Sequence, residues 1–540
     1  MKSKSATNNL EIAIVIIGFF LFFELLNFIL GQDINWDLLN YHISSAHKFI
    51  YSKNWSGAAI SQRQSWFNPL PYVPAYLLIQ YCPTWLIALV FGALPVLNVM
   101  PAYLIVRRFL FCEPGWRATA VSAACTFVGA TSTIHLAVVG TSLAEAWLSS
   151  ATLFALYAML SAIAASARST QGYLLFVSGM AMGAAVGLKL TNAPMAIGLA
   201  VALIAPTAAG KIRPREFLIF ALAGVAGFAV LGGWWHWQLW QEYGNPVFPM
   251  YNNYFASPMA QPDALTDGPR HWWHFLTNPV ELAYGSHSSY LSTSMPVRDS
   301  RQLVALMASF GAVGHSAWSI FAKKDSGSAK LILLTISIFY ISASLVWFFS
   351  FNIARYAMPL ELLSGVMLAF FVMHVIGSFF AKRALVIGLA LLVVTERPIR
   401  TGRTAWTSQW IEPDVPAGVR GNDTLYVMTG WQPLAWLTVF ADRFGERVDF
   451  VRVSGNLAMA PSDAMGQFVS HRITSHQGPI RSLTNVFETA AAPADLARFK
   501  LAIIASSCMT IRSKADPVQS CALRPLDDGA RHDSESASSI

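Results

Sequence analysis

The stretch IAIVIIGFFLFFELLNFIL, residues 12–30, decides the fold. It holds one charge, Glu24, in nineteen residues. As a helix it would run about 28 Å, which matches the hydrocarbon thickness of a bilayer. Lys2 and Lys4 precede it, and ILGQDINW follows with no small-x-small cleavage site. It therefore reads as an uncleaved first transmembrane helix with its N-terminus in the cytoplasm, and not as a signal peptide.

The rest of the chain continues in the same solvent. Of 540 residues 54% are hydrophobic and only 12% charged, about half the charged share of a soluble protein. The mean hydropathy is +0.46. Further apolar runs at 85–106, 117–138, 142–165, 173–189, 191–208, 216–235, 302–322, 330–350, 356–380 and 384–396 bring the expected number of crossings to about eleven. The basic residues agree with this count. Arg107, Arg108 and Arg117, then Arg168, then Lys211, Arg213 and Arg215, then Lys323, Lys324 and Lys330, then Lys382 and Arg383 all fall on the side of the N-terminus, as cytoplasmic connections should. The net charge of +8 is thereby accounted for by topology, and nucleic-acid binding is not indicated.

This topology places 31–84, 236–301, the turn at 350–356 and everything after about 397 outside. FNPLPYVPAYLL (67–78) carries three prolines and suits an interfacial or re-entrant segment. The expected domains are a transmembrane domain over 1–396 with outer loops 31–84 and 236–301, a small α/β extracytoplasmic (periplasmic) domain over 397–526, and a disordered tail, 527–540. Strand-like runs at TLYVM (424–428), RVDFVRV (447–453) and LAIIAS (501–506), with a helical PLAWLTVFADRF (433–444) among them, support the α/β reading. Cys508 and Cys521 are the two cysteines of this region. A disulfide between them would stabilise by about 3 kcal/mol in an oxidising compartment; otherwise they are two unrelated thiols.

Polar groups at membrane depth are costly and mark sites by default. NWDLLNYH (35–42) follows the first crossing at once, with Asp33 just before it. On a helix Asp37, Tyr41 and Ser44 share a face, with Asn40 beside it. Asp37 is either a shielded carboxylate able to act as a base or a helix N-cap. Glu145, in GTSLAEAW, is either a second site acid or an acid favoured by a helix dipole. Lys189, the single charge between Thr170 and Gly210, ends a stripe of Gly179, Gly183 and Gly187; it either snorkels or binds a phosphate. Arg355, in FNIARYAMPLE, either meets lipid headgroups or clamps one phosphate. HWWHF (271–274 onward) sets His271 and His274 at metal-ligand spacing without a third ligand, so it reads as an interfacial segment. The sequence contains no Walker loop, dinucleotide fingerprint or HExxH.

Taken in order, WDLLNYHISSA, AMGAAVGLKLTNAPMA, YGNPVFPMYNNYFASP and ARYAMPLE resemble the GT-C superfamily of integral-membrane glycosyltransferases, in the bacterial branch related to protein O-mannosyltransferases and the lipid A aminoarabinose transferase. The resemblance spans 12–380. Two departures are that Asp33 and Asp37 are separated where family members often carry adjacent acids, and that Glu145 stands where the second-loop acid is commonly Asp.

The resemblance implies an inverting glycosyltransferase that uses a polyprenyl-phosphate-linked sugar. Its acceptor would be the hydroxyl of a glycan, lipid or protein at the outer face of a bacterial inner membrane. Asp37 would be the base, with Asp33 and Glu145 as candidate second acids. Asn40, Tyr41, His42, Asn245 and Tyr251 would bind substrate, and Lys189 and Arg355 the phosphate. No cofactor is implied with certainty, and no motif supports a divalent metal. A polysaccharide polymerase or ligase, or a lipid-linked sugar flippase, remains an alternative.

Overall fold

The computed structural model describes residues 2–51, 59–262, 271–285, 298–321, 328–376, 378–394, 402–457 and 459–526. The expected tail at 527–540 and the domain boundary near 396 lie outside these residues. Eight helices among them are long and apolar enough to cross a membrane: Leu10–Leu30, Thr84–Phe109, Glu145–Ala164, Arg168–Leu188, Leu190–Ala208, Pro214–Tyr243, Ser328–Ser350 and Ala354–Ile376. The chain is a polytopic helical membrane protein. The other three expected crossings are also helical. Residues 117–138 are divided into Trp116–Ala130 and Thr133–Val138, with Ser132 Oγ accepting from the His135 N–H. The first piece reaches only about 22 Å at 1.5 Å per residue. The others are Arg301–Phe321 and Ser378–Val394.

The chain forms two compact units. One contains 1–30, 88–234 and 265–401; the other contains 31–87, 235–264 and 402–540. The expected outer segments are thus shared out: 31–87 and 235–264 belong with the C-terminal part, and 265–301 with the helices.

In the first unit, the opening helix shows why lipid must be its solvent. Ile14, Ile17, Leu21, Leu25 and Phe28 fall on one face at spacings of three and four, and all are exposed. Each would cost about 1.5–3 kcal/mol to leave in water. Phe19 and Phe23, on the other side, pack against Val99, Ala130 and Val139. The glycine stripe sets the closest helix pair. A Cβ at Gly179 would meet the Phe220 carbonyl and one at Gly183 the Gly224 carbonyl, while Gly187 lies against Phe228 and Gly232. Backbones of Arg168–Leu188 and Pro214–Phe228 therefore touch directly, as small residues allow between apolar helices. That contact positions the end of Arg168–Leu188, where the chain leaves the helix at Lys189 (φ −151°, ψ 110°). Asn192 Nδ2 then donates to the Ala185 and Lys189 carbonyls, at 3.2 and 3.1 Å, satisfying acceptors that the break exposes.

In the second unit, a five-stranded sheet has the order Asp449–Arg452, Leu425–Thr429, Ile480–Asn485, Val518–Ser520, Met509–Ile511. The first three strands are parallel and the rest antiparallel. Leu425–Thr429 is buried throughout, which suits a central parallel strand. Ile480–Asn485 was not expected from the sequence, because its Arg481, Ser482, Thr484 and Asn485 conceal it. Its polar groups are paired inside: Thr484 and Thr429 hydroxyls meet at 2.6 Å, and Ser482 Oγ donates to the Cys521 carbonyl. Conversely Leu501–Ile503, expected as a strand, pairs only with Leu523–Pro525 in a separate ribbon. The expected helix at 433–444 is a 3₁₀ segment, Ala435–Phe440, followed by one α-turn.

Residues 59–64 are wired into this sheet. Arg452 donates to the Ile60 carbonyl, Gln62 Nε2 to the Trp431 carbonyl, and the Asn456 N–H to Gln62 Oε1 at 2.6 Å. Val73–Tyr81, within the proline-rich outer segment, is a nine-residue helix too short to span.

Candidate functional site

Within the first unit three of the expected residues meet. Glu145 opens the helix Glu145–Ala164, where the dipole favours an acid. Lys189 lies at the helix break just described, and Arg355 in the 3₁₀ turn Ala354–Ala357 that follows Ser328–Ser350. Lys189 Nζ is 2.6 Å from Glu145 Oε1, and Arg355 Nε is 3.6 Å from the same oxygen. The Tyr356 ring faces both cations, 5.4 Å from Lys189 Nζ and 5.3 Å from the Arg355 guanidinium carbon. Glu145 and Lys189 are only 6 and 8% exposed. Glu145 Oε2 is buried with no hydrogen-bond partner among the described residues.

This arrangement gives Glu145 a definite task. It is the counter-ion that holds the two cations together. The cluster carries two positive charges and one negative, a net +1 aimed through groups with strong directional donors.

The same unit also contains a buried group that the sequence reading passed over. Asp299 Oδ1 accepts from the Arg301 N–H, and Arg301 Nη1 is 3.2 Å from Asp299 Oδ2. Arg301 Nη2 also donates to Thr131 Oγ1, and Asp299 Oδ2 accepts from the Thr133 N–H. These bonds tie the start of Arg301–Phe321 to the break at Thr131–Thr133. Glu361, also buried, sits in a span four residues after the ARYA turn. An acid inside an apolar run was the available signal.

Within the second unit, the segment after the first crossing is organised by Asp33 and Asn35. Gln32–Asp33 pairs with Arg403–Thr404. Asp33 Oδ1 accepts from the Asn35 N–H and Nδ2, at 3.0 and 2.8 Å. Asn35 Oδ1 in turn accepts from the Leu38 N–H at 2.9 Å and caps the helix. Burial pulls the Arg403 guanidinium below its ordinary value, and the charge of Asp33 opposes that shift.

Asp37 is 5% exposed, and its carboxylate makes no cap hydrogen bond. The N-cap reading of Asp37 is therefore replaced: Asn35 does that work. The chain from Leu38 to His42 is a π-turn, a form found mostly as single bulges, frequently at functional sites. The extra residue changes the helical phase that would have aligned Asp37, Tyr41 and Ser44.

Among the expected substrate groups, Tyr41 packs edge-on to His42, Phe67 and Tyr72, and His42 stacks on Tyr72 at 4.2 Å. Asn40 Nδ2 donates to the Ser61 carbonyl and to Gln64 Oε1. Asn245 is wholly buried and bonds to the Val247 N–H and the Met250 carbonyl, which shapes its own loop. Tyr251 is exposed, with φ 54°. Cys508 and Cys521 are joined by a disulfide with S–S 2.06 Å. His271 stacks on Trp273, and its ring centroid lies 5.4 Å from that of His274. Among the described residues no group of three or more His, Cys, Asp or Glu is placed to hold a metal ion. Compared with known proteins, the chain matches no family model, no curated protein and no solved structure.

Proposed function

We propose that the protein is an inverting glycosyltransferase that moves a sugar from a polyprenyl-phosphate donor to an acceptor hydroxyl on a glycan, lipid or protein. The observation that carries the reading is the meeting of Lys189 and Arg355 on Glu145. A polyprenyl-phosphate sugar is a phosphodiester with one negative charge, which a cluster of net +1 balances. As the C1–O bond breaks, the electron pair goes to the phosphate, and the added charge develops beside two cations that need not reorganise. The acceptor oxygen forms the new bond to C1 from the opposite face, through an oxocarbenium-like state. Asp37 takes the acceptor's proton; its burial suits a base. Asp33 orders the turn that carries Asp37.

In this reading the chain crosses a bacterial inner membrane eleven times, with its N-terminus in the cytoplasm and residues 402–526 in the periplasm. The Cys508–Cys521 disulfide supports an oxidising compartment for that part. The test is to incubate purified protein with a labelled polyprenyl-phosphate sugar and a mixture of envelope acceptors. Transfer that is lost in Asp37→Asn is expected. Movement of the lipid across proteoliposomes without transfer would instead make the protein a flippase and overturn the reading.

A further inference from the structure

The second unit contains a cavity of about 740 Å³ that the transfer reading does not use. It lies where the parallel strands Asp449–Arg452, Leu425–Thr429 and Ile480–Asn485 end. It is lined by Gly430 and Trp431 after one strand, Ser454 after the next and Glu488 after the third. Leu425–Thr429, first of the three in sequence, has its two successors on opposite sides. The crevice outside such a reversal of strand order is where open α/β sheets take ligands, and the volume is that of a small-molecule site.

The walls say which ligand. At this place nucleotide-binding sheets usually offer phosphates the N–H groups of the first strand's loop. Here those donors are already engaged. Glu488 accepts from the Trp431 and Gln432 N–H groups at 2.9 and 3.0 Å, and Ser454 Oγ accepts from the Gly430 N–H at 2.7 Å. A Cβ at Gly430 (φ 84°) would run into the Glu488 carboxylate, so the residue must be glycine. Arg452 fastens the same loop through the Gly430 and Gln432 carbonyls. An internal carboxylate thus stands where a phosphate would sit, and an anionic ligand would meet its charge.

What faces the cavity instead is aromatic and planar-polar. Trp431 and Phe487 are 62 and 75% exposed. They are the two most exposed large apolar side chains among the described residues of 402–526, and both line this cavity. Gln261, Asp495 and Arg498 line it too. Asp495 Oδ2 accepts from Ser454, Gln261 Nε2 donates to Asp463 and Arg498 Nη2 to the Met459 carbonyl. Each has more hydrogen-bonding positions than these bonds use.

Exposed aromatic faces pack on the C–H faces of a sugar ring, while carboxylate, amide and guanidinium groups each reach pairs of hydroxyls. We infer that this cavity is a binding site for an uncharged oligosaccharide, separate from any phosphate-dependent chemistry. The inference rests on the cavity alone and stands whether or not the protein transfers sugar.

The test is binding of the full-length, detergent-purified protein to an array of neutral oligosaccharides, with UDP and inorganic phosphate as competitors. Retention of at least one neutral glycan is expected, weakened tenfold or more in Trp431→Ala and in Phe487→Ala. Because both side chains are largely exposed, melting of these variants should not change. Lys189→Met should leave glycan affinity intact, which separates this site from the proposed donor site. Absence of any bound neutral glycan, binding indifferent to both aromatic substitutions, or competition by UDP or phosphate would overturn the inference.

Discussion

Lys189 can be tested as a phosphate ligand separately from its role as the partner of Glu145. At 2.6 Å the pair gains about 6 kcal/mol at an effective dielectric constant of 20, much of it offset by removing both charges from water. Removing one partner of such a buried pair costs about 3–5 kcal/mol, because the other is left charged and buried. In Lys189→Met, Arg355 still lies 3.6 Å from Glu145, so the lower end, about 3 kcal/mol, is expected in thermal unfolding. Adding Glu145→Gln removes the more deeply buried charge and should restore part of that stability, the rest being lost because Arg355, at 18% exposure, gives up its counter-ion. Transfer should behave differently. Losing one cation that stabilises the leaving phosphate costs about 10²–10³-fold, and the second substitution, although it returns the net charge to +1, does not replace the missing ammonium donor. The assay is melting temperature and labelled-sugar transfer for both single variants and the double. A double variant that regains transfer along with stability would refute the phosphate role and make Lys189 a structural counter-ion only.

Asp37→Asn should lower transfer by about 10²–10⁴-fold; Asn35→Ala, which deletes the actual cap, should cost about 1 kcal/mol of stability. Gly183→Ala should destabilise by about 1–3 kcal/mol, because the new methyl meets the Gly224 carbonyl, and a Tm equal to that of the native protein would contradict the helix contact. Cys508→Ser should cost about 3 kcal/mol under oxidising conditions and nothing after reduction. Burial lowers the Lys48 amine to about 8, with Glu242 opposing. Between there and the ordinary value of 10.5 the unfolded chain binds the extra proton, so stability from this group rises with pH over that window. Lys48→Met should therefore stabilise most near neutral pH and progressively less toward pH 10, as read by melting at each pH.

Much of the membrane part was legible because its signal is local. Apolar runs, Gly179–Gly183–Gly187 spacing and the isolated charges Lys189 and Arg355 are each visible within a short window. The C-terminal sheet was legible only in part. Leu425–Thr429 shows as an apolar run, whereas Ile480–Asn485 is polar in composition and central in position. Its hydroxyls pair with Thr429 and the Cys521 carbonyl, partners that no window around 480 contains. The C-terminal sheet also proved inseparable from residues 59–64, since Gln62 accepts from the Asn456 N–H and Asn456 accepts from the Arg63 N–H.

Local composition is enough to set the solvent, the approximate crossings and the places where charge would be expensive, because transfer free energy adds along a segment and needs no knowledge of neighbours. What those charges do depends on the folded arrangement. It made Glu145 the counter-ion of Lys189 and Arg355, gave capping to Asn35 in place of Asp37, and filled a phosphate-like position with Glu488. Ion pairs and hydrogen bonds act over a few ångströms between residues far apart in the chain, and that proximity exists only once the chain is folded.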